Sequence, residues 1–581
     1  MLKSLLRFLL GQIQQALTAH RASRMLAAGI ARIERGDHAA ARRLLERTLT
    51  IDPRNACANF HLGMLAAQSE AYPECARHFA RAIELEPGRA EWWLALGDLA
   101  ERHADHAKAA EYFSASLAMD PGSAAANRSL ARMLRKTGRK GEAVVRQRRA
   151  HELAPEAPGA TRELVTALIE YDMCGKALSI AAAAAERDPA SYEALFCLGL
   201  AHHKLHDPQR ALPLYERAGR ERAEDAELAE LHDARGSAYQ ELGKLDQAFG
   251  EYERALALRP DYAPARFHRA LARLLTQDFE RGWPDYELRR FAGDGASCPS
   301  AAPVWEGAPL AGRTILLRME QGLGDEIMFA SLLPEMLRMA GHCIVECDPR
   351  LRVLFARSFP GATVFGALPD RSLPFRVAQH AIDYEAHLGS LPLLLRRSAA
   401  AFPRQESYLS ADPSRVERWR GRLAQLGSGP KIGISWTGGV RKTRRALRSI
   451  ALPEWLPILS TPGARFVSLQ YTAEAAGEAA ALEASHGLRV EHWPEAIEDY
   501  DETAALVCAL DLVISVCTSV VHLGGALGRP VWVIVPHSPE WRYGFSGATM
   551  PWYASVKLFR APAFGQMRAA IESISATLRQ R

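Results

Sequence analysis

The sequence predicts a multidomain α plus α/β chain, with an N-terminal helical solenoid and a C-terminal half of two doubly wound lobes. Three observations predict it. Prolines recur at Pro53, Pro87, Pro121, Pro155 and Pro189, each 34 residues after the last. Small residues keep the same 34-residue register between them. After Arg290 that register stops, and short apolar runs begin to alternate with helical segments. At 581 residues the chain also exceeds what one hydrophobic core supports, so at least two domains are expected.

The repeating prolines end helices, because proline lacks an N–H and biases the residue before it away from the α conformation. Most follow an acidic residue: Asp52, Glu86, Asp120 and Asp188. The series skips one unit and resumes, three residues late, at Pro260. Gly29, Gly63, Gly97, Gly199 and Gly236 share the eighth position of their units, and Ala41, Ala109, Ala143, Ala177, Ala211 and Ala248 the twentieth. Phe79, Phe113, Tyr215 and Tyr252 stand four residues further on. Small residues let two crossing helices approach, and the bulky ones fill the space beside them.

This pattern resembles the tetratricopeptide repeat family, over residues 22–290 and about eight units. The resemblance implies a solenoid with a groove for a protein or peptide, or else a spacer or oligomerisation surface. The last, atypical unit ends in Gly282-Trp283-Pro284-Asp285-Tyr286-Glu287, where Trp283 would cap the array or seat it on the next domain. Residues 1–21 are expected to form a separate N-terminal helix packed on the first repeat, the alternative being a membrane-surface anchor. Its apolar content is interrupted by Lys3 and Arg7, and no small-residue cleavage site follows.

A net charge of +5 over this length gives no reason to expect nucleic acid as a partner. No apolar run approaches the roughly 18 residues needed to span a bilayer. The nine cysteines are scattered without a CxxC, which points away from zinc and from a disulfide framework and fits the reducing cytoplasm.

In the C-terminal half, residues 291–312 look like a linker, rich in Gly, Ala, Ser and Pro at 291–303. Strands are expected at Thr314–Met319, His342–Glu346, Ala362–Phe365, Lys431–Trp436, Arg465–Leu469, Leu512–Ser515 and Val531–Val535. Runs such as Val531-Trp532-Val533-Ile534-Val535 suit strands buried on both faces, hence parallel sheets covered by helices. They fall into a first lobe at 313–411 and a second at 430–581, joined by a polar helical bridge at 412–429. Ligands of such sheets bind at the carboxyl ends of the strands.

Four segments could carry chemistry there. Gly322-Leu323-Gly324-Asp325-Glu326 follows the first strand and opens a helix. It is neither a P-loop nor a good dinucleotide fingerprint, the latter supported only by Gly322-x-Gly324 and Glu346. Asp325 suits a general base, or equally a helix cap. Cys517-Thr518-Ser519 ends a buried strand, and Thr518, Ser519 and the helix start they open could cradle a diphosphate. His522, one turn on, faces the cleft or is a satisfied core histidine. Arg441, Lys442, Arg444, Arg445 and Arg448 follow Gly438-Gly439, where cations could neutralise a leaving diphosphate or simply be solvated. Pro536–Gly544 adds Trp541, Arg542 and Tyr543, as a pocket wall or a packed loop.

Taken with Ile315-Leu316-Leu317-Arg318, Leu333-Pro334 and Ala526-Leu527-Gly528-Arg529-Pro530, these segments resemble the heptosyltransferase-type glycosyltransferases, family 9-like, over residues 313–560. The resemblance implies two Rossmann-like lobes of the GT-B type and a nucleotide-diphosphate sugar as co-substrate, with no other cofactor and no metal. It implies Asp325 as the base that activates an acceptor hydroxyl. Gly322, Gly324, Thr518, Ser519 and His522 would bind the donor, with Lys442 or Arg444 on its phosphates. Cys517 stands where that family usually has aspartate. The alternative is a non-catalytic interaction scaffold with a degenerate transferase domain.

Overall fold

The structure is a computed structural model. It describes residues 2–580 except 70, 222–223, 290–301, 369–371, 404–405 and 440–443, and leaves out the side chains of residues 2–11, 15, 376 and 378. The chain forms two compact units, Met1–Leu205 and His206–Arg581. This division falls inside the repeat array and not at the change of architecture expected near residue 290. The last repeat helices are built into the same unit as the α/β half.

Among the described residues of the first unit, eleven helices run from Leu2–Glu34 to Tyr192–Lys204, and consecutive helices pack on one another. The helix expected at residues 1–21 is not separate, since one helix runs unbroken from Leu2 to Glu34 and serves as the first repeat helix. The glycine register has a direct steric cause. A Cβ on Gly63 would lie 2.6 Å from the Phe79 ring, and one on Gly97 would lie 2.4 Å from the Phe113 ring. Only hydrogen at that position lets the paired helix insert its aromatic. The helices are closed by side-chain caps: Asn55, Ser123 and Ser191 accept from the backbone N–H of Ala58, Ala126 and Ala194. Such a cap contributes about 1 kcal/mol.

The second unit opens with five helices: Pro208–Ala218, Asp225–Glu241, Leu245–Leu258, Ala263–Leu275 and Phe279–Tyr286. A Cβ on Gly236 would lie 2.6 Å from the Tyr252 ring, the same glycine–aromatic relation as in the first unit. Of the expected linker, residues 291–301 lie outside the described residues. The rest is fixed: the Trp305 N–H donates to the Glu385 carbonyl at 2.8 Å, and the Trp305 ring is buried.

Among the described residues ten strands follow: β1 (Thr314–Arg318), β2 (His342–Cys347), β3 (Ala362–Gly366), β4 (Tyr384–His387), β5 (Lys431–Ser435), β6 (Arg465–Ser468), β7 (Val490–Glu491), β8 (Leu512–Val516), β9 (Val531–Val535) and β10 (Val556–Arg560). They make two all-parallel sheets, in the orders β3-β2-β1-β4 and β10-β9-β8-β5-β6-β7. Strands β5, β8 and β9 are buried along their whole length, as their apolar runs require. The bridge helix Pro413–Ala424 packs on the second lobe, where the Trp419 indole N–H donates to Glu502 at 2.9 Å and its ring stacks on Trp493. The lobes are tied together by Arg357 of the first and the buried Asp501 of the second, 2.6 Å apart.

Trp283 seats the last repeat on the α/β half. Its indole N–H donates to the Arg396 carbonyl at 2.8 Å, and its ring meets Trp541 edge-on at 5.4 Å.

Candidate functional site

A cavity of about 380 Å³ opens between the two sheets. Gly322, Gly324 and Asp325 line it from the loop after β1, Thr518, Ser519 and His522 from the loop after β8. The other walls come from after β2 (Arg350), β5 (Gly439 and Arg448), β6 (Tyr471) and β9 (Glu540, Arg542 and Tyr543). All follow the carboxyl ends of parallel strands, where the strand-to-helix loops leave backbone and side chains free to face a ligand.

The loops are positioned by specific contacts. The buried Gln470 side-chain oxygen accepts from the Ser435 hydroxyl at 3.2 Å and from the N–H groups of Trp436 and Thr437 at 3.0 and 2.9 Å. That pins the turn after β5. Gly438 then passes so close to the β8 loop that a Cβ would sit 2.7 Å from the Cys517 carbonyl. Gly324 plays a similar part between the lobes: its Cβ would lie 3.0 Å from the His522 ring. Its lack of a side chain lets the two helices approach each other there. Gly322 begins the two-turn helix Leu323–Phe329, and its N–H is 3.4 Å from Asp325 Oδ2.

Asp325 is both cap and cleft residue. Its Oδ1 is ion-paired with Arg542, which reaches across from the second lobe. Arg542 also donates to Gln321 at 3.3 Å, lies over the Trp541 ring at 4.9 Å, and has Glu540 at 3.9 Å. Burial acts to lower its pKa, but Asp325 and Glu540 outweigh burial and the pKa rises, so the guanidinium stays charged.

Thr518 lines the cavity and caps the helix start that follows β8. Its hydroxyl accepts from the Val520 N–H at 3.2 Å and lies 3.2 Å from Ser515 Oγ. The Ser515 hydroxyl itself donates to the Val516 carbonyl, so the Thr518 proton is spent on Ser515. Ser519, partly exposed on the cavity wall, is the more available hydroxyl. Next to them the Cys517 thiol is buried 3.8 Å from the Ile534 carbonyl, and burial pushes its pKa to about 12. It is a neutral wall where the resembling family has a charge.

His522 is likewise neutral. Burial holds its pKa at about 3 despite the nearby Asp325. Its Nδ1 is 3.1 Å from the Tyr553 hydroxyl and its Nε2 3.5 Å from the Tyr543 hydroxyl, so both ring nitrogens are occupied. It shapes the cavity without contributing charge.

The basic loop is only partly as expected. Lys442 and Arg441 lie outside the described residues. Arg444 does not line the cavity: it sits at φ +58°, 3.5 Å from the buried Glu241 of a repeat helix. Arg448 is the member that lines the cavity, paired with Glu540. Arg350, also on the wall and bidentate with Asp348, carried no motif in the sequence and becomes visible only from the fold. Glu346, the ribose-binding candidate of a dinucleotide site, is buried against Arg318 at 3.1 Å. Among the described residues no group of His, Cys, Asp and Glu is placed to hold a metal ion, and no helix is long and apolar enough to cross a membrane.

Fold and site together define a tetratricopeptide-repeat protein whose array runs into a two-sheet parallel α/β half with an interlobe cavity. Profiles of the tetratricopeptide repeat match residues 32–99, 94–158, 174–226 and 229–262. The chain is 30% identical over 444 residues to Protein FlbA of Caulobacter vibrioides, an alignment that spans 73% of each, and it belongs to that protein's family. Among solved structures it is similar to a tetratricopeptide repeat protein from Parabacteroides merdae, at 12% identity and a TM-score of 0.35, over 44% of this chain and 99% of that one. It is also similar to YrrB, a repeat protein described as having an unusual peptide-binding site, at 20% identity and a TM-score of 0.27, over 34% of this chain and 100% of that one. Repeats of this class are protein-interaction modules.

Proposed function

We propose that the chain is a glycosyltransferase that moves a sugar from a nucleotide-diphosphate donor to a hydroxyl of a protein or glycan acceptor recruited by the repeats. One observation carries this: Asp325 and the Ser519–His522 helix start, at strand ends of two separate sheets, line the same cavity. On this proposal Asp325 takes the proton from the acceptor hydroxyl as that oxygen bonds to the anomeric carbon. The anomeric carbon–phosphate oxygen bond breaks, and the nucleotide diphosphate leaves with the charge. A fixed cation facing that charge lowers the barrier. Arg448, with Arg350 and Ser519, supplies that surface here, in place of Arg444, with Lys442 a further candidate. Charge neutralisation by arginine makes the reaction metal-independent, and a cytoplasmic location goes with it.

A second proposal, a binding scaffold with a degenerate transferase half, is favoured by the neutral Cys517 and the Thr518 hydroxyl bonded at the helix start. The two are separated by incubating the protein with a panel of nucleotide sugars and a cell-extract fraction of proteins and glycans as acceptor, water being the acceptor otherwise, with and without EDTA, and measuring released nucleotide diphosphate. The transferase proposal expects release from at least one donor, unchanged by EDTA and lost in Asp325→Ala. No release from any donor leaves the scaffold.

A further inference from the structure

Among the described residues three arginines line the cavity, and each already holds a carboxylate: Arg542 holds Asp325, Arg448 holds Glu540, and Arg350 holds Asp348. The first of these pairs is unlike the others, because it joins the two lobes and engages the carboxylate proposed as the base. Both Nε and Nη2 of Arg542 bond the same oxygen, Asp325 Oδ1, while Oδ2 faces the Gly322 N–H. Oδ1 is thereby committed to the guanidinium, and an incoming hydroxyl meets a carboxylate whose charge is already paired with a cation of the other lobe. While that pair stands, the proposed base faces Arg542 and not an acceptor.

Arg542 is also the group best suited to leave it. A guanidinium presents a planar fork of donors that fits phosphate oxygens as well as it fits a carboxylate, and phosphate brings more charge. Its guanidinium carbon lies 4.9 Å over the Trp541 ring and it donates to Gln321 at 3.3 Å, contacts that can hold the side chain near the cavity when it exchanges one anion for another.

We propose that Arg542 is a donor-responsive switch on Asp325: a nucleotide diphosphate entering the cavity takes the Arg542 guanidinium and so releases the Asp325 carboxylate. No covalent bond changes in this step, since one ion pair replaces another. The consequence is an order of events, in which the acceptor hydroxyl finds a competent base only once donor is bound. The inference rests on the transferase proposal and adds a positioning role for Arg542 to it.

The test is calorimetric titration of UDP, GDP and ADP into the full-length protein, Asp325→Asn, Arg542→Gln and the double variant. With the nucleotide that binds the native chain, Asp325→Asn tightens binding about tenfold, because no ion pair must be broken. Arg542→Gln weakens it by about tenfold or more, and adding Asp325→Asn to Arg542→Gln changes it little. If both single variants weaken binding, the pair is only a clamp between lobes and the switch is wrong. If Asp325→Asn tightens binding equally in both backgrounds, the effect is plain charge repulsion and the switch is again wrong. Binding by none of the three to the native chain removes the donor proposal itself, a different failure. Should Arg542→Gln not fold, Arg542→Lys keeps the charge without the fork and is expected to weaken binding, with Asp325→Asn still tightening it; unchanged affinity in Arg542→Lys overturns the switch.

Discussion

The Asp325 carboxylate of the first lobe is ion-paired to the Arg542 guanidinium of the second, across the cavity that both line. Their codons lie more than two hundred residues apart, and the two parallel sheets bring them together by ending their strands at one cleft.

If Asp325 is the base, Asp325→Ala removes proton acceptance but none of the phosphate-facing cations. Turnover should fall by about 10²–10⁴-fold, the range a positioned base supplies, while nucleotide diphosphate binding is kept or strengthened. Single-turnover transfer together with calorimetry on the same variant checks this. Near-native turnover sinks the base assignment.

Trp283 is fully buried between the last repeat and the α/β half. Trp283→Ala should cost about 3–5 kcal/mol, the usual loss for an aromatic truncated in a core. Limited proteolysis should then cut the chain near residues 275–305 before the native protein is touched there. An unchanged cleavage pattern and denaturation midpoint would contradict the seating role.

Gly97→Ala places a methyl group 2.4 Å from the Phe113 ring. Overpacking of this kind costs about 1–3 kcal/mol. Urea denaturation followed by circular dichroism should show the loss, and Phe113→Leu should restore part of it by withdrawing the ring. Additive destabilisation by the two changes would mean that the contact is not the cause.

His522 titrates at about 3 in the folded chain, held down by burial, with Asp325 opposing that shift and Arg542 and Arg448 adding to it. An unfolded histidine titrates at about 6.5, so below that pH the unfolded state takes up a proton that the native state refuses. Its contribution to stability is fully present above pH 6.5 and is lost as pH falls toward 3, by about 2 kcal/mol at pH 5. His522→Gln should lose less stability than the native chain between pH 7.5 and pH 5. Burial also lowers the pKa of His61, His78, His151 and His492, so the dependence is reduced but not abolished. An identical pH response in the variant would show that His522 is not held neutral.

The repeat array was legible because its causes are local and recur: a glycine opposite an aromatic, and a proline after each helix pair. The strands that are apolar throughout were legible for a similar reason. Tyr384–His387, with Glu385 and His387, Val490–Glu491, only two residues long, and Val556–Arg560, which alternates at a sheet edge, carry no such run. Asp325, Ser519 and His522 could be picked out because they stand where a strand turns into a helix. What could not be read is how each is partnered. The Thr518 hydroxyl meets Ser515, and Arg444 looks like Arg448 until Glu241 of a repeat helix claims it. The division of the chain at Leu205 was hidden for the same reason, since the repeat pattern continues past it while the contacts of the last helices turn toward the α/β half.

The central claim, that the interlobe cavity binds a nucleotide-diphosphate sugar, is tested most directly by calorimetric titration of UDP, GDP and ADP into the native full-length chain. The account predicts saturable one-to-one binding of at least one of them, weakened by Arg448→Gln. Absence of binding by all three would contradict it.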